Sequence, residues 1–194
     1  MLATVNKVIN MIKKVAITLL IIPVLLLSSC SLGETYKFTD SFDNDQEFAI
    51  SLIDKVLETI QNKDSDSLKS LFSKNAISES KNFAQSVTDL FDFYEGDFIS
   101  YNDWGGPEVF TEREDGQIIK QMNSTYDVET SKEKYRIAIQ NVVDDTTNSD
   151  NVGIRSFYII KAENDTDLQF AYRGDGEYTP GIHLNIKNSI PKDE

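Results

Sequence analysis

The hydrophobic period changes once along this chain. As far as Tyr94 the apolar residues recur at helical spacing, and from Asp97 onward they recur at every second position. A helix repeats its face every 3.6 residues and a strand every two, so a segment patterned for one does not settle as the other. The order is therefore helices first and strands second. That order predicts an α+β fold, with helices packed on one face of an antiparallel sheet.

Three helices are expected. Asp43 or Asn44 can cap the first, whose apolar positions Ala49, Leu52, Ile53, Val56, Leu57 and Ile60 lie on one stripe. Asp64 or Ser65 can cap a second, shorter one that places Leu68, Leu71 and Phe72 together. The third carries Phe83, Val87, Leu90, Phe91 and Tyr94 and ends at Glu95-Gly96, with glycine at the stop.

The strands follow. Ile118, Met122, Tyr126 and Val128 share one face with Lys120 and Ser124, so that face is only partly apolar. Next, Tyr135, Ile137, Ile139 and Val143 oppose Arg136, Gln140 and Asp144, and the short turn Thr130-Ser131-Lys132-Glu133 predicts an antiparallel hairpin. After a polar loop at 144–151, residues 152–161 (VGIRSFYIIK) are apolar on both faces near Phe157, as a central strand requires. Leu168–Tyr172 and Ile182–Ile186 read as shorter or edge strands.

The first 29 residues are of another kind. They hold Lys7, Lys13 and Lys14, no acidic residue, and the apolar run VAITLLIIPVLLL from Val15 to Leu27. Met11 opens a compact MIKK start, so residues 1–10 read as an upstream extension. At about 1.5 Å per residue the run covers about 20 Å of a hydrocarbon layer about 30 Å thick, which fits an export signal better than a permanent span. It ends in Leu27-Ser28-Ser29-Cys30, and this resembles the bacterial lipobox. The resemblance implies cleavage before Cys30 and a thiol carrying diacylglycerol and palmitate-like chains, which together anchor stably where one chain would not. The expected organisation is a signal peptide at 1–29, a lipid-anchored tether at 30–42 and a single domain at 43–190. The location implied is the outer face of the cell membrane.

Charge then narrows the partners. Three of the 19 basic residues and none of the 32 acidic ones precede Cys30, so the rest of the chain carries a net charge of −16. That is the wrong sign for reading a phosphate backbone, and nucleic acid is not expected as a partner. The single Cys forms no disulfide within the chain, and with one His there is no zinc-ligand spacing. The acidic loop from Asp144 to Asp150 lacks the glycine and the late glutamate of a calcium loop, so no metal and no cofactor is expected.

The helical part and its strands together resemble the nuclear transport factor 2-like (cystatin-like) superfamily, and in particular a family of bacterial lipoproteins that carry such a domain of unknown function. The residues that carry the resemblance are Asn62-Lys63-Asp64 with Leu68, Leu71 and Phe72; Asp89-Leu90-Phe91 through Tyr94-Glu95-Gly96; Tyr126, Thr130 and Tyr135; and Asp150 to Ile154. They cover most of 44–162. The resemblance implies a cone, a curved antiparallel sheet wrapped against three N-terminal helices around an open-ended cavity. Enzymes of the superfamily use an Asp, often with a His or Tyr, pointing into the cone.

Within that expectation Trp104, in the turn Trp104-Gly105-Gly106-Pro107, is placed to cover the cavity mouth, with Tyr101, Tyr126, Tyr135 and Tyr158 as the residues that bind a ligand. Asp103, between Tyr101 and Trp104, is the catalytic candidate, because an aromatic neighbour desolvates a carboxyl group. His183 reads as an edge-strand residue. No nucleophile elbow or phosphate loop occurs in the sequence. The expected function is non-catalytic: a membrane-anchored lipoprotein that binds a small ligand or an envelope protein. The alternatives are an isomerase or dehydratase using Asp103, and a module that forms a homodimer through the sheet.

Overall fold

The computed structural model describes residues 35–164 and 177–185, with side chains from Asn44 onward. The chain divides into two units, Met1–Asp43 and Asn44–Glu194. Of the first, only the helical stretch from Thr35 is described. The signal segment, Cys30 and the expected strand at 168–172 lie outside the described residues. Among the described residues no helix is long and apolar enough to cross a membrane.

The second unit is mixed α+β. Helix α1 runs Thr35–Gln61, α2 Ser65–Ser70, α3 Lys74–Glu79 and α4 Phe83–Phe93. Six strands follow: β1 Phe98–Asp103, β2 Glu108–Glu114, β3 Gln117–Thr130, β4 Lys134–Asp145, β5 Gly153–Lys161 and β6 Gly181–Leu184. They form one curved, open sheet in the order β1-β3-β4-β5-β6, with β2 also on β3.

Helix α1 buries the expected stripe: Ala49, Ile53, Val56, Leu57 and Ile60 are all enclosed. They meet Leu68, Val87 and Leu90 from the other helices and Tyr126, Tyr135, Ile137, Phe157 and Ile159 from the sheet. Each fully buried side chain of this size contributes about 2 kcal/mol through the water it sheds, and this shared core fixes which face of the sheet the helices cover.

Several expectations need correction. Helix α1 begins at Thr35, so Asp43 and Asn44 lie inside it rather than capping it, and the stretch read as a tether is helical from Thr35. The second helix is in fact two. Asp64 caps α2 by accepting from the Ser67 amide, and Ser73 caps α3 by accepting from the Ala76 amide. Between them Phe72 bridges to Ile154, with the Ile154 amide donating to Leu71 and the Ser73 amide donating to Ile154. Gly153 permits this approach: its φ is +123°, and a Cβ there would sit 2.7 Å from the Ser73 nitrogen.

The sheet differs from expectation in three places. Strand β2 went unread because Glu108–Glu114 is almost wholly exposed and carries no apolar alternation. It pairs with β3 through a tight turn at Asp115 and Gly116, both at positive φ. A bulge leaves Val143 unpaired, so Val142 is buried in its place and Asp145 turns inward. Strand β6 lies parallel to β5, while the other strand pairs among the described residues are antiparallel. The β3–β4 hairpin has its expected turn, closed by the Thr130 amide donating to Glu133 and the Glu133 amide donating to the Thr130 hydroxyl.

Candidate functional site

Period two assigns each strand residue to a face, and the registers carry that assignment across the sheet. Tyr101, Val128 and Tyr135 follow one another across β1, β3 and β4 on the helix side, as do Tyr126 and Ile137. Asn102, Asp127 and Arg136 form a row on the far side. The residues expected to share one pocket are thereby divided between two faces.

On the helix side, Tyr101 and Tyr126 meet edge to face with ring centroids 5.6 Å apart. The Tyr101 hydroxyl donates to Asp54 at 3.1 Å and the Tyr126 hydroxyl to the Ala49 carbonyl at 3.1 Å. Burial is the main cause that pushes both phenols up to about 12, with the Asp54 contact adding to it at Tyr101. Both stay neutral near pH 7 and act as hydrogen-bond donors. Asp103 shares their side but is exposed, accepting from the Gln46 side chain at 2.8 Å and from the Gly105 amide at 3.3 Å.

Tyr135 stands apart from that pair. It stacks on Tyr94 at 5.1 Å, donates to the Phe93 carbonyl at 3.0 Å and accepts from the Glu95 amide at 2.8 Å, which ties the end of α4 to the sheet. A cleft of about 610 Å³ opens among the helices over Ile77, Phe83 and Val87, with Lys63 and Lys69 at its rim. None of the four tyrosines lines it.

Trp104 and Tyr158 belong to the far side. The Trp104 backbone amide donates to Thr125 at 3.1 Å and its indole N–H to Asp127 at 3.0 Å. Arg136 lies over the indole, 4.2 Å from its centroid, while its Nε donates to the same Asp127 at 2.8 Å. Tyr158 stacks on His183 at 4.8 Å, placing the only histidine on edge strand β6. The Tyr158 hydroxyl and a His183 ring nitrogen both reach the Thr179 carbonyl, at 3.3 and 2.9 Å.

One step further along the strands than Tyr158 runs a polar row. Asn123 on β3 faces Gln140 on β4, Gln140 faces Ser156 on β5, and Thr125 lies two residues along from Asn123 on the same face. The four are only 1, 7, 0 and 1% exposed, respectively. Yet Asn123 Oδ1, Gln140 Oε1, Ser156 Oγ and Thr125 Oγ1 are shielded from solvent and have no hydrogen-bond partner among the described residues. The Asn123 amide nitrogen does have one, the Tyr178 hydroxyl at 3.1 Å, and the next residue, Thr179, accepts from the Tyr158 hydroxyl beside the row. Buried polar groups are ordinarily paired, because each unpaired one costs about 1–3 kcal/mol. Four on one face concentrate that cost where the fold gains nothing from it.

The acidic loop is occupied by its own contacts. Asp145 accepts from the Thr147 amide and hydroxyl, the Asn148 amide and the Asn151 side chain, and these bonds hold its carboxyl down at about 2. Asp150 pairs with Lys74 at 2.7 Å. Among the described residues no cluster of metal-ligating side chains is present.

Trp104 and Tyr158 stand out in the sequence by residue type; the row of Asn123, Gln140 and Ser156 does not. The polar positions of β4 oppose its apolar ones, and alternation alone does not distinguish a wet face from a covered one. Residues 55–162, more than half of the chain, match the family model described as Domain of unknown function (DUF5104). No curated protein matches the chain.

Proposed function

This chain belongs to the DUF5104 family, and we propose that it is a lipid-anchored protein of the bacterial envelope whose domain is a non-catalytic binding module. In this reading Cys30 carries the lipid, the domain stands on the outer face of the membrane, and the fold is of the nuclear transport factor 2-like kind. The ligand or partner is taken on the sheet face away from the helices, beside Trp104, rather than in a cone among the tyrosines. The single observation that carries the reading is the set of four buried, unpartnered oxygens on Asn123, Thr125, Gln140 and Ser156. An interior that leaves acceptors unmet on one face suits a surface that completes its hydrogen bonds with another molecule.

Binding is favoured over catalysis because the Asp103 carboxylate is exposed and already engaged by Gln46 and Gly105. The strong negative charge beyond Cys30 fits a domain held away from anionic lipid by its tether.

Two measurements test the proposal. Cells fed an alkyne-tagged fatty acid should label the wild-type protein and leave Cys30→Ala unlabelled; an unlabelled wild type would remove the anchor. Trp104 is the only tryptophan, so its emission reports on the far face directly. Titration of the full-length protein with pools of lipids, glycans and peptides should change that emission with at least one pool, and indifference to all three would remove the binding module.

A further inference from the structure

We infer that the far face of the sheet binds a neutral polyhydroxylated ligand, a sugar unit, through Asn123, Thr125, Gln140 and Ser156. This deepens the binding-module reading and rests on it.

The class of ligand follows from what the unmet atoms are. Asn123 Oδ1 and Gln140 Oε1 are amide oxygens, which only accept; Thr125 Oγ1 and Ser156 Oγ both accept and donate. The ligand must therefore present at least two donors and, at the hydroxyls, groups able to act either way. Alcohol hydroxyls do both. None of the four side chains ionises; on the same face Asp127 and Arg136 are spent on each other at 2.8 Å, and Glu108, opposite Asn123 on β2, stands exposed to water. Enclosing a charged ligand here would leave its charge uncompensated at a cost of several kcal/mol, so the ligand is neutral.

Its size follows from the register. Asn123, Gln140 and Ser156 lie on three successive strands, and strands stand about 4.8 Å apart, so the row spans about 10 Å. That suits one or two linked sugar rings lying across the strands. Tyr178 meets the row at Asn123: its hydroxyl accepts from Asn123 Nδ2, and its backbone is held at φ +56°, in a region that side chains disfavour. A ligand that takes over the Asn123 amide releases Tyr178 from this contact.

The test uses the full-length protein in a zwitterionic detergent free of sugar headgroups. Maltose, cellobiose and N,N′-diacetylchitobiose are titrated by calorimetry and by Trp104 emission, with tetraglycine and inorganic phosphate as the peptide and anion probes. At least one disaccharide should bind, Gln140→Leu and Ser156→Ala should each weaken it tenfold or more, and Thr88→Ala, on the exposed side of α4, should leave it unchanged. Neither of the two site variants enlarges a side chain much, so both should fold. Three outcomes would overturn the assignment. Binding of tetraglycine or phosphate with none of the sugars would show a module of another ligand class, leaving the binding reading in place. Sugar binding indifferent to Gln140→Leu and Ser156→Ala would put the site elsewhere. No binding by any probe at millimolar concentration would mean that the oxygens hold water only.

Discussion

Asn123 and Gln140 face each other across the β3–β4 ladder on the side of the sheet away from the helices, and each buries an amide oxygen that no donor meets. A core selected only for stability would replace one of them with an apolar residue. Gln140→Leu keeps the volume and removes the unmet oxygen, so it should stabilise the domain by about 1 kcal/mol. Chemical denaturation of the two proteins measures this. A clear loss of stability would mean that Gln140 is structurally satisfied and that the row has no need of a ligand.

Gly153 is required by the bridge that splits the second helical segment. Alanine there meets both a φ of +123° and the Ser73 backbone nitrogen at 2.7 Å, and backbone cannot swing aside as a side chain can. Gly153→Ala should cost about 3 kcal/mol. Gly116→Ala, in a turn where an added Cβ meets nothing within 4 Å, should cost distinctly less, since only its φ is unfavourable. Equal losses at the two positions, read from urea midpoints, would contradict the close approach of Gly153 to Ser73.

These two glycines show what could be read from the sequence. Helix α1 and the β3–β4 hairpin were legible because their apolar residues repeat over many positions and local turn chemistry agrees with the pattern. The break at Phe72 was not, since it comes from pairing with Ile154, far along the chain, and a short helical run carries no trace of a distant strand. The bulge at Val143 was hidden for the same reason: it shifts one strand against its neighbour while the period within the strand looks intact. The candidate site fell between these cases. Trp104 and Tyr158 stand out by residue type, whereas Asn123 and Gln140 do not, since alternation marks a polar position without showing whether its face is covered.

Trp104, Arg136 and Asp127 form one packed group, with the guanidinium over the indole and both groups donating to the same carboxylate. Arg136→Met keeps the aliphatic cover and removes the charge and the fork. It should shift Trp104 emission to longer wavelength and lower stability by about 1 kcal/mol, a modest figure because Asp127 is partly exposed. Arg136→Lys should fail to restore the wild-type spectrum, since an ammonium group does not stack as a planar guanidinium does. An unchanged spectrum in both variants would show that the stack does not persist in solution.

Asp145 should govern the acid limb of stability. Its carboxyl lies at about 2 in the folded protein against 3.8 as the ordinary value, held down first by the Thr147 hydroxyl and then by the Asn151 side chain. The unfolded chain therefore binds the proton more readily between those values, and the stabilisation is complete above about pH 4 and lost as pH falls through about 2. In Asp145→Asn, an amide group replaces one of the carboxylate oxygens, and one arrangement sets two donors, its own and that of Asn151, against each other. The variant should unfold at lower denaturant than wild type at pH 7, with the difference shrinking as pH is lowered from 4 toward 2. A difference that stays constant over that range would show that the loop is held by its shape and not by the ionised carboxylate.

In the proposed reading Cys30 decides where all of this takes place. It follows an apolar run too short to cross the bilayer comfortably and stands directly after Leu27-Ser28-Ser29. A thiol carrying two acyl chains partitions into the bilayer at about 0.8 kcal/mol for each buried methylene, so a lipidated protein should pellet with membranes and resist extraction by high salt or alkali, both of which strip proteins held by charge. Cys30→Ala should move the protein to the soluble fraction or leave it with an uncleaved leader, and its mass should distinguish the two. Because the proposed binding face lies on β3, β4 and β5, far along the chain from this residue, the released variant should bind the same ligand with unchanged affinity. A variant that loses both the membrane and the ligand would show that the anchor and the sheet face act as one site.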